Sequence, residues 1–215
     1  MKSKAFFQML YQDVIKFPTY LISHPFKGYE DFKFGKKGKF YVALIFLILM
    51  SLVQIIKFTS TGFILNPNNP KDLNSIKIAS FVIVPIVLFS IANWNVTTLF
   101  DGKGKMKEIF MMVCYSLFPY IIASIIVVIG SNFLTLEEAM LLDLVNYIGI
   151  LGVVYLMFFG MINIHEYSPL KVIITTILTI VAIGVILFIA LLIFTLVKQI
   201  YTFIYALLRE LAKRY

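Results

Sequence analysis

Long apolar runs separated by short polar stretches dominate the chain. Five of these runs contain no Asp, Glu, Lys or Arg: residues 40–56, 78–100, 109–136, 144–165 and 172–197. A helix needs about 20 apolar residues to cross the hydrocarbon core of a bilayer, and each run is close to that length or longer. The pattern predicts an all-α membrane protein with five transmembrane helices. The predicted spans are about residues 40–57, 78–100, 109–130, 144–164 and 172–197.

Both ends of the chain place apolar residues on one helical face. At the N-terminus these residues are Phe6, Phe7, Leu10, Val14, Phe17 and Leu21, and near the C-terminus they are Ile200, Phe203, Ile204, Leu207, Leu208 and Leu211. Such amphipathic helices beside transmembrane spans lie in the headgroup plane. The N-terminal helix is expected to be interrupted near Pro18, and packing on the cytoplasmic ends of the spans is an equal alternative for it.

The chain therefore divides into three predicted segments. Residues 1–39 form a cytoplasmic amphipathic and basic segment, residues 40–197 form the five-helix domain, and residues 198–215 form an amphipathic tail. Between the first helix and the first span, Pro25, Gly28, Gly35 and Gly38 are expected to break regular structure, with the Lys residues facing the bilayer surface.

Composition supports a membrane protein. Sixty per cent of the residues are hydrophobic, only 14% are charged, and the mean hydropathy is +0.93, whereas soluble domains carry about 25% charged residues. The net charge of +8 comes from Lys and Arg at the ends of the apolar runs. That distribution indicates contact with anionic lipid, not nucleic acid. Cys114 is the single cysteine, so no internal disulfide is expected.

The distribution of basic residues predicts the orientation. With the N-terminus inside, twelve Lys lie on the cytoplasmic side, and seven Lys and Arg lie on the other side or in the tail. The positive-inside rule therefore favours a cytoplasmic N-terminus. Five spans then place the basic tail outside. The alternative is a fifth segment that re-enters the membrane and returns the tail to the cytoplasm.

The stretch from Asn93 to Tyr120 organises these spans, because a six-residue turn joins the second span to the third. Asn93 and Asn95 can bond to neighbouring helices, and Trp94 suits the membrane interface. The turn carries Asp101, Gly102, Lys103 and Gly104, and it lacks the strand and the Ser or Thr that a phosphate-binding loop requires. The predicted packing and partner surface consists of Asn93, Trp94, Asn95, Asp101, Gly102, Lys103, Gly104, Tyr115, Ser116, Pro119 and Tyr120.

Prolines and small residues predict how the spans pack. Pro85 and Pro119 lie inside the second and third spans, where each removes a backbone hydrogen bond, so both helices should be kinked. Small side chains that allow close helix approach are Gly149, Gly152 and Gly160 in the fourth span, and Thr175, Thr179, Ala182 and Gly184 in the fifth.

Candidate chemistry is sparse. His24 and His165 occur at predicted cytoplasmic edges and lack the spacing of a metal site, and no Ser or Cys has a recognisable base nearby in sequence. We expect a solvated turn at His165 and Glu166, with pairing to Lys103 or Lys107 as the alternative. The absence of Asp, Glu, Lys and Arg within the five runs disfavours a coupled transporter. The sequence predicts no catalytic residue, no metal and no cofactor.

Several motifs resemble the Yip1 family of five-span membrane proteins. Residues 115–119 (YSLFP) resemble its third-span motif, residues 98–105 resemble the preceding turn of bacterial members, and His24, Pro25, Gly28 and Phe32 resemble their pre-membrane segment. Eukaryotic members are partners of Rab-type GTPases. Cys114 stands where many of them have Gly, and their Asp-Leu-Ala-Gly-Pro segment is missing. The resemblance therefore implies a bacterial Yip1-like protein of the plasma membrane, and some of these accompany sugar ABC transporters.

Three functions are compatible with this pattern. The first is a non-enzymatic scaffold or accessory partner of other membrane proteins, or a membrane-shaping factor. A channel or uncoupled solute or lipid carrier is the second, and a continuous polar cavity would favour it. The third is a membrane enzyme acting on lipid, which convergent ionisable groups near a headgroup pocket would favour. The expected partners are the lipid bilayer and other membrane proteins, with the components of an ABC transport complex among the candidates.

Overall fold

The computed structural model describes residues 8–214, and all of the regular elements in that range are helical. The helices are α1 (Phe17–Ser23), α2 (Pro25–Lys33), α3 (Phe40–Ser60), α4 (Ser75–Leu99), α5 (Met106–Ser116), α6 (Phe118–Gly130), α7 (Ala139–His165) and α8 (Pro169–Arg214). Five stretches are long and apolar enough to cross a bilayer: Phe40–Ser60, Ser75–Leu99, Met106–Gly130, Leu136–His165 and Pro169–Glu210. The predicted all-α fold with five spans is confirmed.

The N-terminal helix continues through Pro18. Residues 8–11 are α-helical, a π-helical turn covers Gln12–Lys16, and α1 follows directly. The N–H of Phe17 donates to the carbonyl oxygen of Gln12, five residues back. A proline lacks the N–H and crowds the preceding turn of an α-helix, and the wider π turn accommodates it. The expected interruption is therefore a change of helix type. Phe6 and Phe7 lie outside the described residues.

The N-terminal segment packs on the end of the bundle. Leu21 is fully buried, and the ring of Phe17 lies 6.1 Å from the ring of Tyr115 in an edge-on contact. Asp13 forms an ion pair with Lys39 at 2.6 Å, just before α3 begins. Of the two alternatives for this helix, the described part of it adopts packing against the spans.

Residues 25–33 form a helix, so the expected irregular segment is wrong there. Pro25 occupies the first turn of α2. An N–H at this position would have no partner within the helix, so a proline breaks no hydrogen bond there. Gly28 is tolerated because the helix passes close to α1: a Cβ at this position would lie 2.8 Å from Leu21 Cδ2. Lys33 turns towards the bundle and donates to the carbonyl oxygen of Ile164 at 2.8 Å. Gly35 and Gly38 lie in the irregular connection to α3.

Helix α3 is central, packing on α4, α5 and α6, while α6 packs on α7 and α4 packs on α8. The third span is divided at Leu117, which separates α5 from α6, and Pro119 lies in the first turn of α6. The sequence predicts a kink at each of two prolines, and near Pro119 the span is divided into two helices. Pro85, the other predicted kink, lies inside a continuous α4. The third span ends at Gly130, as the polar residues after it predict.

Small residues bring α7 close to the third span. A Cβ at Gly149 would lie 2.5 Å from Ala123 Cβ, one at Gly152 would lie 2.8 Å from Pro119 Cβ, and one at Gly160 would lie 2.5 Å from Met112 Cγ. These three positions confirm the predicted close approach. Gly184 of α8 does not: nothing lies within 4 Å of a Cβ there.

The connections gather at two ends of the bundle. At the end that we call the basic end, Glu166 after α7 contacts both Lys33 of α2 and Lys103 of the turn between α4 and α5. At the opposite, distal end, the N–H of Gly62 donates to Ser131 Oγ at 2.9 Å, joining the connection after α3 to the one after α6. Consecutive spans therefore run in alternating directions.

Helix α8 continues without a break past residues 197 and 198. The tail is thus an extension of the fifth span and not a separate helix, and the chain does not re-enter the bundle within residues 169–214. At 1.5 Å per residue, a helix of 46 residues is about 69 Å long, more than twice the roughly 30 Å of a hydrocarbon core.

The orientation of the two ends can be tested by cysteine labelling. In a Cys114→Ala background, Thr135→Cys at the distal end should react with an impermeant maleimide in intact cells. Lys105→Cys at the basic end should react only after the membrane is permeabilised, because the excess of Lys there favours the cytoplasmic side. Labelling of Lys105→Cys but not of Thr135→Cys in intact cells would reverse the orientation.

Candidate functional site

Tyr115 lies at the centre of an aromatic cluster that joins the N-terminal segment to the spans. Its ring is 5.1 Å from the ring of Phe32 and 5.4 Å from that of Phe46, in each case nearly perpendicular. Its hydroxyl accepts a hydrogen bond from the N–H of Lys39 at 3.1 Å and lies 3.4 Å from the carbonyl oxygen of the same residue. Tyr115 therefore fixes the point at which the chain enters α3. We call this group the Tyr115 cluster.

Ser116 extends the Tyr115 cluster to α2. Its hydroxyl donates to the carbonyl oxygen of Met112 at 2.9 Å, one helical turn earlier. Because that bond uses its one proton, Tyr29 is the donor in the 3.1 Å contact between the Tyr29 and Ser116 hydroxyls. Burial, the larger effect, raises the pKa of Tyr29 despite this hydrogen bond. Two consecutive residues of α5 thus hold α2 and the start of α3.

A second cluster of polar side chains is buried near the basic end, between α4, α7 and α8. His165 Nε2 lies 3.0 Å from Asn93 Oδ1, and Asn93 Nδ2 donates to Thr179 Oγ1 at 3.2 Å. Because an amide oxygen accepts only, Nε2 carries the proton. His165, Asn93 and Thr179 are all buried. We call this group the His165 cluster, and it joins three spans by side-chain hydrogen bonds.

The turn between α4 and α5 covers the His165 cluster. A Cβ at Gly104 would lie 2.7 Å from His165 Cε1, and one at Gly102 would lie 2.7 Å from the hydroxyl of Tyr167 and 2.9 Å from His165 Nδ1. Neither glycine has positive φ, whereas Asp101 does, at 57°. The two glycines are therefore needed for close approach, and Asp101 supplies the left-handed turn residue that Asp tolerates.

Tyr167 and Glu166 also bind the turn between α4 and α5. The hydroxyl of Tyr167 donates to the carbonyl oxygen of Phe100 at 2.8 Å, and its ring stacks on that of His165 at 5.3 Å. Glu166 forms ion pairs with Lys103 at 2.5 Å and Lys33 at 3.0 Å. The hydrogen bond that Lys103 donates, and after it the one that Lys33 donates, lower the pKa of the Glu166 carboxyl. The solvated turn expected here is wrong for His165, and Glu166 adopts the alternative pairing with Lys103.

The predicted surface divides among several places. Asn93, Gly102 and Gly104 belong to the His165 cluster, with Lys103 attached through Glu166, while Tyr115 and Ser116 belong to the Tyr115 cluster. Trp94, Asn95 and Asp101 are exposed. Pro119 packs on Gly152, and Tyr120 lies 6.0 Å from the ammonium of Lys57. Sequence reasoning missed Tyr29 and Tyr167. It named His165 and Thr179, but it expected His165 in a solvated turn and Thr179 only as a small residue for close helix approach. The pair of glycines in the turn indicates that the backbone there approaches another part of the protein closely. It does not indicate which residue is approached.

A basic pocket of about 560 Å³ lies where the N-terminal helix meets the start of α3. Its two carboxylates are already paired, Asp13 with Lys39 and Asp31 with Lys37, each at 2.6 Å. The hydrogen bond that Lys39 donates to Asp13 raises the pKa of Lys39. Lys16 and Lys36 also line the pocket. The pocket thus carries a surplus of positive charge at the membrane edge, which suits anionic headgroups.

The arrangement of these side chains is suited to packing. Within residues 8–214, no group of three His, Cys, Asp or Glu side chains is placed to hold a metal ion. Cys114 is buried inside α5, and the His165 imidazole lies beneath the glycine turn. The polar groups that the fold brings together hold one helix to another.

The contact between the turn and His165 predicts the effect of adding one methyl group. Gly104→Ala should lower the stability of the protein by about 1–3 kcal/mol, because the new Cβ meets the imidazole in a packed site. Thermal unfolding in mild detergent measures the change. The matched control is Gly184→Ala, where a Cβ has open space and alanine favours the helix by roughly 0.5–1 kcal/mol. Equal unfolding temperatures for the two variants would contradict the packed turn.

A double-mutant cycle tests the hydrogen bond between His165 and Asn93. Each of His165→Ala and Asn93→Ala should destabilise the protein, and their coupling should be about 0.5–2 kcal/mol, as for buried hydrogen bonds between transmembrane helices. Unfolding of each variant in detergent gives the cycle. The exposed His24→Ala is the control and should change stability by less than about 0.5 kcal/mol. Zero coupling between positions 93 and 165 would show that the contact is absent.

Comparison with known proteins gives one result that bears on identity. Neither the curated proteins nor the solved structures contain a match to this chain. The family model of the Yip1 domain matches residues 19–192. That range begins within α1, contains the Tyr115 and His165 clusters, and ends within the exposed part of α8. It covers well over half of the sequence, so the chain belongs to the Yip1 family.

Proposed function

We propose that this Yip1-family protein is a non-enzymatic partner of another membrane protein, and that α8 is the surface on which the partner binds. The observation that carries the proposal is the length of α8 beyond its packed part. Its buried side chains end at Thr179, and every residue from Leu187 to Glu210 is exposed. This stretch is about 36 Å long at 1.5 Å per residue.

The apolar side chains in the exposed part of α8 are stabilised when the surface of another molecule buries them. Phe203 is 67% exposed and Leu208 is 59% exposed, and each such side chain gains about 1.5–3 kcal/mol when it is buried. The first half of α8 already accounts for one crossing of the membrane. The second half continues as the same helix. An apolar surface of a neighbouring protein can therefore pack along it without a change in its backbone conformation.

Three features support a role without catalysis. The titratable groups of the His165 cluster are enclosed by packing, and Glu166 is held by two lysines. The basic pocket does bring ionisable groups to a headgroup site, which would favour an enzyme acting on lipid. Both of its carboxylates, however, form ion pairs with lysines of the same segment, which gives them a structural role at the start of α3.

A membrane transport complex is the class of partner that we propose, with the components of an ABC transporter as the first candidates, in the plasma membrane of a bacterium. The basic residues of the tail add a preference for an acidic partner surface or an anionic leaflet. Lys198, Arg209, Lys213 and Arg214 provide this charge. The opposite charge on a partner would speed association and select orientation.

Affinity purification tests the proposal. The full chain and the variant Phe203→Ser/Leu207→Ser, tagged at the N-terminus, are expressed at equal levels, extracted in mild detergent and analysed by mass spectrometry. We expect one or more integral membrane proteins to be enriched with the full chain. The double variant should lose at least about tenfold in recovery, because each apolar anchor contributes more than about 1 kcal/mol.

The control is Phe63→Ser, which removes an aromatic ring that is 98% exposed at the distal end and leaves α8 unchanged. It should recover the same partner as the full chain. Equal recovery by all three proteins would place the partner elsewhere on the molecule. No membrane protein above background, together with solute or lipid turnover by the purified chain in liposomes, would replace the proposal with a carrier or an enzyme.

A further inference from the structure

A groove of about 620 Å³ lies between α3, α4 and α7 in the distal half of the bundle. Most of its lining is apolar, with Met50 from α3, Ile78, Val82 and Ile86 from α4, and Ile150 and Val154 from α7. The groove is open on one side, where Phe81 is 70% exposed. Its volume falls within the range of about 300–1,000 Å³ that is typical of ligand sites.

The break in the third span forms the floor of the groove. Leu117, the residue between α5 and α6, lines it together with Tyr120 from the first turn of α6. Leu117 and Tyr120 lie on either side of Pro119, and both line the groove opposite residues of α3 and α4. The YSLFPY segment therefore contributes the floor of the groove.

The mouth of the groove is polar. Gln54 and Lys57 stand one turn apart on α3, and Asn68 approaches from the connection after it. Lys57 Nζ donates to Asn146 Oδ1 at 3.2 Å and lies 6.0 Å from the centre of the Tyr120 ring. Among the described residues, no carboxylate lies within 4.0 Å of Lys57. Its charge is held at the top of an apolar groove by neutral partners.

From this arrangement we infer that the groove binds one acyl chain of an anionic phospholipid from the leaflet at the distal end, with the phosphate on Lys57. The apolar walls accept the chain, and the open side lets the second chain remain in the bilayer. The ammonium of Lys57 compensates the headgroup charge, and the amides of Gln54 and Asn68 donate to phosphate or ester oxygens. The acyl chain of a zwitterionic lipid can occupy the same groove, but its headgroup carries no net negative charge to compensate the charge of Lys57.

A tryptophan in the groove can report which lipid occupies it. Phe81→Trp, in a Trp94→Phe background, places a single tryptophan at the open side. The protein is reconstituted in phosphatidylcholine vesicles with increasing fractions of brominated phosphatidylglycerol or brominated phosphatidylcholine, which quench tryptophan on contact. We expect half-maximal quenching at about fivefold lower mole fraction for the anionic lipid, the preference that one interfacial lysine supplies.

Two matched variants separate a site from general attraction to a basic protein. Lys57→Gln in the reporter protein should bring the two quenching curves together, whereas Lys71→Gln, which removes an exposed charge at the same end, should leave them apart. A second reporter, Phe188→Trp in the same background, faces the surrounding lipid from α8 and should show no preference.

Four results would overturn the inference: coincident curves for the Phe81→Trp protein, equal effects of Lys57→Gln and Lys71→Gln, an unchanged preference in Lys57→Gln, or the same preference at Phe188→Trp. Native mass spectrometry of the unmodified chain, released from bilayers of both lipids, provides an independent measurement. Anionic phospholipid should be the main lipid bound to the protein in these spectra. Spectra that show zwitterionic lipid or fatty acid and no anionic phospholipid would contradict the site. The groove and the surface of α8 lie on different parts of the chain, so either proposal can fail alone.

Discussion

The hydrogen bond between His165 and Asn93 closes the basic end of the bundle. It joins buried side chains of α7 and α4, and Asn93 also donates a hydrogen bond to Thr179 of α8. Polar groups in such a place have to find partners within the protein, because hydrocarbon offers none. The two glycines of the covering turn and the ring of Tyr167 pack on His165, and Glu166 beside it forms ion pairs with Lys103 of that turn and with Lys33.

The spans could be predicted from sequence because the bilayer imposes a length and a composition that can be counted. The break at Pro119 followed from proline chemistry, and the close approach at Gly149 and Gly152 followed from the lack of side chains. The same reasoning overestimated Gly184. A glycine permits close approach without requiring it, and α8 has no neighbour at that position.

The His165 cluster could not be predicted, for a different reason. Sequence places His165 at the end of an apolar run, a position that is compatible with solvent and with burial. What decides between them is the path of the turn at residues 101–104, which is a tertiary feature. Helix α2 was missed for a related reason: Pro25 starts it, and Gly28 serves contact with Leu21, so residues that usually break a helix support this one.

The third span links the Tyr115 cluster to the apolar groove. Tyr115 and Ser116, on one side of Leu117, hold the N-terminal segment and the start of α3. Leu117 and Tyr120 line the apolar groove, and Pro119 sets the contact with α7. Successive side chains of a helix point in different directions, so one span can contact both regions. The third span thus anchors the N-terminal segment through α5 and lines the groove where α6 begins.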